Sequence, residues 1–322
     1  PYQPLCLHFF VLDTMLSITG LPYDTLHEVI GIKENKSSLK SFHINYEQID
    51  LKDNQFDTEK IIKKLQEKKI KLIEIQRSRG YSTRKSILIK DIEEIIKKIR
   101  EVDKNVIIMV DNCYCEMVET TSPLEVGANI IVGSLIKNLG GSLASNGAYI
   151  CGDEDLIKLC AERLNLPGEG LDVGPSLGAN KSFLQGLYFA PSVVASSLKT
   201  SILASYLLEK LEFSVSPKYD EPRADIVEAI TFNNKELLIK YVQTIQRYSP
   251  IDSATLPIPA PMPGYDDDII MASGAFTQGS SIELSCDGPL REPFIAYEQG
   301  GVTYNYGKIA VVNAIKEIIE QK

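Results

Sequence analysis

The sequence predicts an α/β protein, with a mostly parallel sheet in its first part and a smaller α+β domain in its second. In the first half of the chain, short apolar runs alternate with charged amphipathic helices, and this alternation is typical of βαβ units with right-handed crossovers. The length of 322 residues exceeds the roughly 250–300 residues at which a single core stops growing. We therefore expect a large domain over residues 1–190, and a linking helix with a small domain over residues 191–322.

Helices and strands alternate between residues 57 and 111. Asp57 opens a charged amphipathic helix, and Ile70–Ile75 has the apolar composition of a short buried strand. Asp91–Glu101 is the next predicted helix, and Val106–Val110 is a second apolar strand. Ligands on parallel sheets bind at the carboxyl ends of the strands. Asp111 directly follows the second strand and is therefore a candidate site residue.

The next part of the chain continues this pattern up to a long helix. Strands are predicted at Asn129–Val132 and Gly147–Cys151, followed by the helix Asp153–Leu164, whose first residue can cap its N-terminus. Glycine and proline in Pro167–Gly178 interrupt the periodicity. A long, mostly uncharged helix then runs from about Ser192 to Leu211.

The C-terminal part has the composition of a small α+β domain without internal repeats. Its predicted elements are the segment Ala224–Ile230, a helix near Asn234–Gln246, a loop over Pro257–Asp268, a strand pair around Ile269–Ala275 and Ser280–Cys286, and a helix over Tyr304–Ile319.

The composition disfavours several classes of protein. The net charge of −9 is spread along the chain, which argues against general affinity for nucleic acid. Six cysteines lack the spacing of a secreted scaffold, and we find no signal peptide and no apolar run of about 18 residues, so we expect a cytoplasmic protein without a membrane partner. All three histidines lie in the first 43 residues, which disfavours Ser-His-Asp, Cys-His and zinc-hydrolase sites. Cys113 and Cys115 have no second pair at ligand spacing, so no metal site is predicted.

A lysine and an aspartate each close an apolar strand. The two segments are Val110-Asp-Asn-Cys-Tyr-Cys-Glu116 and Gly133-Ser-Leu-Ile-Lys-Asn-Leu-Gly-Gly141. A lysine in a small, glycine-flanked turn after a strand is placed to attack a carbonyl, which makes Lys137 a candidate nucleophile. A single loop lysine is usually an ordinary surface residue, so the combination with Asp111 carries the prediction.

This combination resembles the fold-type I pyridoxal-phosphate enzymes, in the branch of the cystathionine and methionine lyases. More narrowly, four segments resemble the methionine gamma-lyase family proteins of bacteria, also known as aluminium-resistance proteins. The segments are Leu21-Pro-Tyr-Asp-Thr-Leu, Ile75-Gln-Arg-Ser-Arg-Gly-Tyr, Lys137-Asn-Leu-Gly-Gly and Asp287-Gly-Pro-Leu-Arg-Glu-Pro-Phe. The resemblance implies an aspartate-aminotransferase-like fold with helices on both faces of the sheet. It also implies pyridoxal 5'-phosphate as the cofactor and a homodimer or homotetramer.

The resemblance also implies roles for individual residues at the cofactor. Lys137 would form the Schiff base and move protons at the substrate, and Asp111 would partner the pyridine nitrogen, so that the ring accepts the electrons of a carbanion. Ser134 would contact the cofactor phosphate. Tyr23 would stack on the ring as a cofactor-binding and catalytic residue. The alternatives are a serine that merely ends its strand and a tyrosine in a surface turn.

Further polar residues are expected at the phosphate and at the substrate. The segment after the predicted strand Ile70–Ile75 supplies Ser78 as a cofactor-binding residue and Arg79 as a substrate-binding residue, and either Arg77 or Arg79 could bind phosphate or carboxylate by a bidentate contact. Arg291 resembles the arginine of the C-terminal domain that binds a substrate carboxylate. For each arginine the alternative is a solvated side chain.

The implied activity is that of a carbon–sulfur lyase on a small-molecule substrate, a sulfur-containing amino acid. The same residues would serve transamination or decarboxylation, and an inactive remnant that acts as a binding module is an alternative of another class. Family members normally have a phosphate-binding helix start shortly before the region that matches Leu5-Cys-Leu. Pro1–Leu12 resembles the remainder of that helix, so we expect weak cofactor binding by this chain.

Overall fold

The computed structural model describes residues 12–174, 176–277 and 279–320, and its first half is built on a six-stranded sheet. The strands are β1 (Thr14–Ser17), β2 (Asn45–Gln48), β3 (Leu72–Gln76), β4 (Ile107–Asp111), β5 (Ile130–Ser134) and β6 (Ala148–Gly152). Their order is β2-β1-β3-β4-β5-β6, and all neighbours are parallel except β5 and β6, which pair antiparallel. The prediction of an α/β protein with a mostly parallel sheet is confirmed.

Helices cover both faces of this sheet. They are α1 (Leu26–Ile30), α2 (Thr58–Glu67), α3 (Ile89–Val102) and α4 (Glu154–Leu164). Apolar residues of α3 recur at helical spacing, so one stripe of the helix is buried. Together with α2, it packs on one face of the sheet, and α1 and α4 pack on the opposite face.

The second sheet is antiparallel throughout and belongs to the C-terminal part. It consists of β7 (Ser214–Ser216), β8 (Glu228–Thr231), β9 (Ile269–Ser273), β10 (Ser285–Pro289) and β11 (Ile295–Gln299), in the order β7-β8-β11-β10-β9. The helices α6 (Lys235–Arg247) and α7 (Tyr304–Ile319) pack on it and enclose a second core.

A helix of 31 residues, α5 (Asn180–Lys210), connects the two sheets. The predicted start near Ser192 is wrong, because the helix continues through Pro191 and begins 12 residues earlier. Gly186 explains part of this extension, since a Cβ there would lie 2.1 Å from the carbonyl oxygen of Gly140, so the glycine permits a close approach of the two backbones. The predicted domain boundary between residues 190 and 191 lies inside this helix.

Helix α5 combines length with a mostly apolar composition, although serines, a proline and a lysine interrupt its apolar residues. Among the described residues it alone is long and apolar enough to cross a membrane, a property that core helices of soluble proteins share. Its serines and threonines mask the apolar character in the sequence. The helix packs against α7, β7 and β8.

Several local predictions differ from the structure. The strands β1, β2, β7 and β11 were not predicted, because they are short and mix polar with apolar side chains. Asp153 does not cap α4 with its side chain but accepts a hydrogen bond from Nδ2 of Asn129 (2.8 Å). Short 3₁₀ helices occur at Lys40–Phe42, Pro123–Val126, Asn138–Gly140 and Gly170–Asp172. The helix remnant predicted over Pro1–Leu12 lies outside the described residues, apart from its last residue.

Candidate active site

A cavity of about 300 Å³ lies where the carboxyl ends of β3, β4 and β5 meet the second sheet. Its position agrees with the rule that open α/β sheets bind ligands at the carboxyl ends of their strands. The residues that line it are Tyr23, Thr25, Leu26, Glu74, Gln76, Ser78, Gly80, Tyr81, Met109, Asp111, Cys113, Tyr114, Val132, Gly133, Ser134, Ile136, Lys137, Tyr265, Met271, Ser273, Gly279, Ser280, Ser281, Ser285 and Asp287.

Lys137 and Asp111 both line this cavity. Asp111 is the last residue of β4, and its Oδ1 accepts a hydrogen bond from the backbone N–H of Cys113 (3.0 Å). Lys137 lies in the turn after β5 and immediately precedes the 3₁₀ helix Asn138–Gly140. Because β4 and β5 are parallel neighbours, their carboxyl ends bring the amine and the carboxylate to one edge of the sheet. The cavity therefore holds a candidate nucleophile and a fixed anion together.

The amine of Lys137 lies against an aromatic ring. Its Nζ is 3.8 Å from the centroid of the Tyr114 ring, which is a cation–π contact. Burial lowers the pKa of Lys137, but the neighbouring Tyr114, Cys113 and Asp111 oppose this effect and raise the pKa above its ordinary value. The amine is thus held as a cation in the absence of a carbonyl partner.

Tyrosines form one wall of the cavity. The Tyr23 ring lies 5.8 Å from that of Tyr81 and 6.1 Å from that of Tyr265, and the hydroxyls of Tyr23 and Tyr265 are hydrogen-bonded. The backbone N–H of Tyr23 donates to Oε1 of Gln76 (2.6 Å). Burial raises the pKa of Tyr23 well above its ordinary value, so its hydroxyl keeps its proton. Tyr23 is thus a half-buried residue of the cavity and not a surface turn residue.

The strand end that carries Ser134 contributes a buried hydroxyl. Ser134 is the last residue of β5, it is buried, and it lines the cavity three residues before Lys137. Ser280, Ser281 and Ser285 line the cavity from the second sheet and its preceding loop. Small hydroxyl groups of this kind donate hydrogen bonds to anionic ligand oxygens.

Two acidic residues of the cavity were not identified from the sequence. Asp287, on β10, accepts hydrogen bonds from Ser285 (3.2 Å) and Gln299 (3.4 Å), and burial raises its pKa to about 6. Glu74, on β3, is 2% exposed, and burial raises its pKa to about 7. A signal for Glu74 was available, because Glu74 and Gln76 are alternate polar residues in an otherwise apolar strand.

In the segment after β3, the polar side chains that were expected to bind ligand instead contact other residues of the protein. Ser78 lines the cavity, but its hydroxyl donates to Oδ2 of Asp225 (2.8 Å). Arg77 is buried and donates to the carbonyl oxygen of Ile87 (3.1 Å) and to Oδ1 of Asn112 (2.9 Å). These contacts tie both side chains to the protein framework.

The two arginines proposed for substrate binding do not line the cavity. Arg79 is 2% exposed, donates to Oγ of Ser216 (3.1 Å), and lies at a separate cavity of about 450 Å³. Arg291 is exposed and forms an ion pair with Asp267 (2.9 Å), while its Nη2 donates to the carbonyl oxygen of Tyr81 (3.1 Å). Arg291 therefore contacts a residue of the cavity wall, Tyr81, but does not line the cavity itself.

A model of the methionine gamma-lyase family matches residues 8–319 of the chain. The chain belongs to this family. YnbB, an uncharacterised protein of Bacillus subtilis, is 45% identical over 313 residues, which cover 96% of this chain and 74% of that protein.

Solved structures of family relatives have the same architecture. A protein of Listeria monocytogenes, described as a candidate cystathionine beta-lyase involved in aluminium resistance, is 46% identical with a TM-score of 0.95, and the match covers 98% of this chain and 78% of that one. A carbon–sulfur lyase involved in aluminium resistance from Clostridium novyi is 46% identical with a TM-score of 0.93, over 98% of this chain and 75% of that one. YhfS of Escherichia coli, at 17% identity and a TM-score of 0.63 over 100% of this chain and 78% of that one, shows the shared fold alone.

Membership of the family confirms the predicted fold-type I architecture and pyridoxal 5'-phosphate as the cofactor. The cavity fits this group in its chemistry. It presents an amine and a carboxylate, and both carboxyl oxygens of the buried Glu74 have no hydrogen-bond partner among the described residues. A buried polar group without a partner is rare in a complete protein interior, and a ligand in the cavity would relieve its isolation.

Proposed function

We propose that this member of the family is a pyridoxal-phosphate-dependent carbon–sulfur lyase that acts on a sulfur-containing amino acid. The reaction would be of the methionine gamma-lyase or the cystathionine beta-lyase type. The observation that carries the proposal is that Lys137 and Asp111 line one cavity at the carboxyl ends of neighbouring parallel strands. The names of the relatives from Listeria and Clostridium support the reaction class.

Each residue of the site would have a separate role in the reaction. When bound, pyridoxal phosphate supplies an aldehyde for the substrate amine and a ring that withdraws electrons from Cα. Lys137 would remove the proton from Cα and return a proton as the thiol leaves. Asp111 would hold a proton at the pyridine nitrogen by a charge-assisted hydrogen bond. Tyr23 would stack on the ring, and Ser134 would donate to the phosphate.

The other predicted residues would shape the cofactor site or bind the substrate carboxylate. Ser78 lines the cavity and its hydroxyl donates to Asp225, so it would shape the cofactor site without giving that hydrogen bond to the cofactor. Arg291 would bind the substrate carboxylate, since its contact with the Tyr81 carbonyl places it beside the cavity wall. Binding there would require Arg291 to leave Asp267. Arg79 would shape the site from behind the wall, as it lies at the neighbouring cavity.

We further propose that the protein is a cytoplasmic homo-oligomer. The start of α5 supports this, because Leu184, Tyr188 and Phe189 there are 68%, 80% and 48% exposed. Exposed apolar side chains in such a cluster indicate a surface that another chain covers. Light scattering at micromolar concentration is expected to give a dimer or a tetramer, and a mass of 35.8 kDa would contradict it.

Product analysis tests the proposed reaction. Purified protein with added cofactor and either methionine or cystathionine is expected to release a keto acid, ammonia and a thiol compound. Formation of pyridoxamine phosphate in proportion to substrate would instead indicate transamination. A chain that traps no cofactor on borohydride reduction and releases no thiol would be the inactive binding module, and the proposal would fail.

A further inference from the structure

Glu74 differs from the other buried carboxylates of the described residues in having no hydrogen-bond partner at either oxygen. Its side chain is 2% exposed and lines the cavity. The hydroxyl of Ser17, on the neighbouring strand β1, donates to the carbonyl oxygen of Gly20 (2.8 Å) and not to Glu74. The other buried carboxylates with a raised pKa each have a donor, namely Glu116 from Tyr149 (2.8 Å), Glu228 from Arg223 (2.8 Å), Asp287 from Gln299 (3.4 Å) and Glu298 from Tyr241 (2.6 Å).

Strand register places Glu74 diagonally next to Asp111. Gln76 is opposite Asp111 and Glu74 is opposite Met109, so Glu74 and Asp111 point to the same face of the sheet. Diagonal neighbours on adjacent strands have Cα atoms roughly 7–8 Å apart, within reach of a long side chain. Two carboxyl groups therefore face one cavity.

Two carboxylates in a dry site cannot both ionise without a large cost, and their surroundings decide which one keeps the proton. Oδ1 of Asp111 accepts a backbone N–H, whereas neither carboxyl oxygen of Glu74 has a hydrogen-bond partner among the described residues. Burial raises the pKa of Glu74 to about 7, and the charge of Asp111 adds to this effect, whereas the neighbouring Ser17 hydroxyl and Arg84 oppose it. Tyr46, on β2, also faces Glu74 and is neutral, because burial raises its pKa.

We propose that Glu74 is held as a neutral carboxylic acid on the floor of the cavity and so leaves Asp111 as the single anion that faces the pyridine nitrogen. Glu74 is in this sense a positioning residue, which acts through Asp111. One carboxylate then matches one protonated ring nitrogen. The inference rests on the proposed function only where it assigns the cofactor to this cavity. The protonation of Glu74 does not depend on bound cofactor.

The protonation of Glu74 can be measured on the full chain without cofactor. With glutamate labelled at its carboxyl carbon, one NMR signal that is absent from Glu74→Gln is expected to titrate near pH 7, about 2.5 pH units above an ordinary glutamate. Glu298→Gln is the matched control, because Glu298 is another buried acid with a raised pKa but lies outside the cavity lining. A Glu74 signal with a midpoint near 4 to 5 would overturn the proposal.

The effect on Asp111 is measured by cofactor absorbance. At pH 6.5, Glu74→Gln is expected to bind pyridoxal phosphate within about threefold of the wild type, and its pH titration is expected to lack one transition near pH 7 that Glu298→Gln retains. Glu74→Met, which is neutral and of similar size, should give the same result as Glu74→Gln. It replaces Glu74→Gln in the experiment if the amide disturbs folding. Loss of cofactor as large as in Asp111→Asn would mean that Glu74 acts as an anion. If the wild type binds no cofactor, the proposed function fails while the NMR result still decides the state of Glu74.

Discussion

The amine of Lys137 lies 3.8 Å from the centroid of the Tyr114 ring, inside the cavity that Asp111 also lines. Tyr114 has a positive φ of 68°, a conformation that non-glycine residues rarely adopt. Its carbonyl oxygen accepts the backbone N–H of Ile226, so the segment between β7 and β8 holds Tyr114 in this position. A segment of the second sheet thus helps to place the ring that contacts Lys137.

Lys137→Ala is expected to abolish borohydride-trapped cofactor and to lower lyase activity by at least a thousandfold, because no other lysine lines the cavity among the described residues. Peptide mapping of the reduced adduct by mass spectrometry provides the check. Lys199→Ala is the control, since Lys199 is exposed on α5. An adduct on Lys181 or Lys199 would show that the assignment is wrong.

Tyr114→Leu is expected to lower the pKa of Lys137, because it removes the phenol side chain that opposes the effect of burial. A desolvated cation–π contact is worth about 2 kcal/mol, or roughly a 30-fold change in proton affinity. The pH dependence of Lys137 labelling by an amine reagent, in the cofactor-free chain, measures this shift. In Tyr114→Phe, which keeps the ring, the pKa of Lys137 should lie between its values in the wild type and in Tyr114→Leu. An unchanged labelling profile in Tyr114→Leu would contradict the role of the ring.

Asp111→Asn is expected to weaken cofactor binding, because a neutral amide replaces the charge at the pyridine nitrogen. A hydrogen bond to a charged group contributes about 1.5–3 kcal/mol, which corresponds to roughly a 10- to 150-fold rise in Kd. Absorbance titration with pyridoxal phosphate measures this change in Kd. Asp155→Asn, at an exposed position in α4, should leave Kd unchanged. Equal affinities of Asp111→Asn and the wild type would place the ring nitrogen elsewhere.

Glu74 is expected to make folding stability depend on pH. Its pKa is raised from 4.5 to about 7 in the folded chain, so its contribution is complete below about pH 4.5 and is lost as the pH rises through 7. Between pH 5 and 8.5, the free energy of unfolding of the wild type should fall relative to Glu74→Gln by an upper value of about 3 kcal/mol. Urea unfolding of the cofactor-free proteins measures the difference. Parallel pH profiles would contradict the raised pKa.

The ion pair of Arg223 and Glu228 is expected to stabilise the small domain strongly. The two side chains are 5% and 0% exposed and 2.8 Å apart, and Arg223 also donates to Ser201 of α5 (2.6 Å). Burial raises the pKa of Glu228 to about 8, so above that pH Arg223→Met would leave a buried carboxylate without its cation, which costs about 3–5 kcal/mol. Exposed Lys97→Met, which breaks a pair with Glu93, should change the free energy of unfolding by less than about 0.5 kcal/mol. Similar effects of the two substitutions would refute this prediction.

The sequence by itself determined the features that depend on neighbours along the chain. The alternation of apolar strands with amphipathic helices predicted the parallel sheet, and the helix over Tyr304–Ile319 has the bounds that its periodicity indicates. Lys137 and Asp111 could be predicted as cavity residues, because each follows a strand and parallel strands bring their carboxyl ends together, whereas Ser134 was expected from the family resemblance. These features rest on local patterns and on a general rule of sheet topology.

Tertiary structure decided the features that depend on residues distant in sequence. Tyr265 and Asp287 reach the cavity only because the second sheet packs against the first, and no spacing along the chain encodes that contact. Ser78 and Arg79 lie in the predicted segment, but partners more than 130 residues away, Asp225 and Ser216, determine where their side chains point. The early start of α5 likewise depends on its packing against the turn that follows Lys137. A strand pattern restricts which face a side chain occupies, whereas hydrogen bonding and burial against distant segments select its partner.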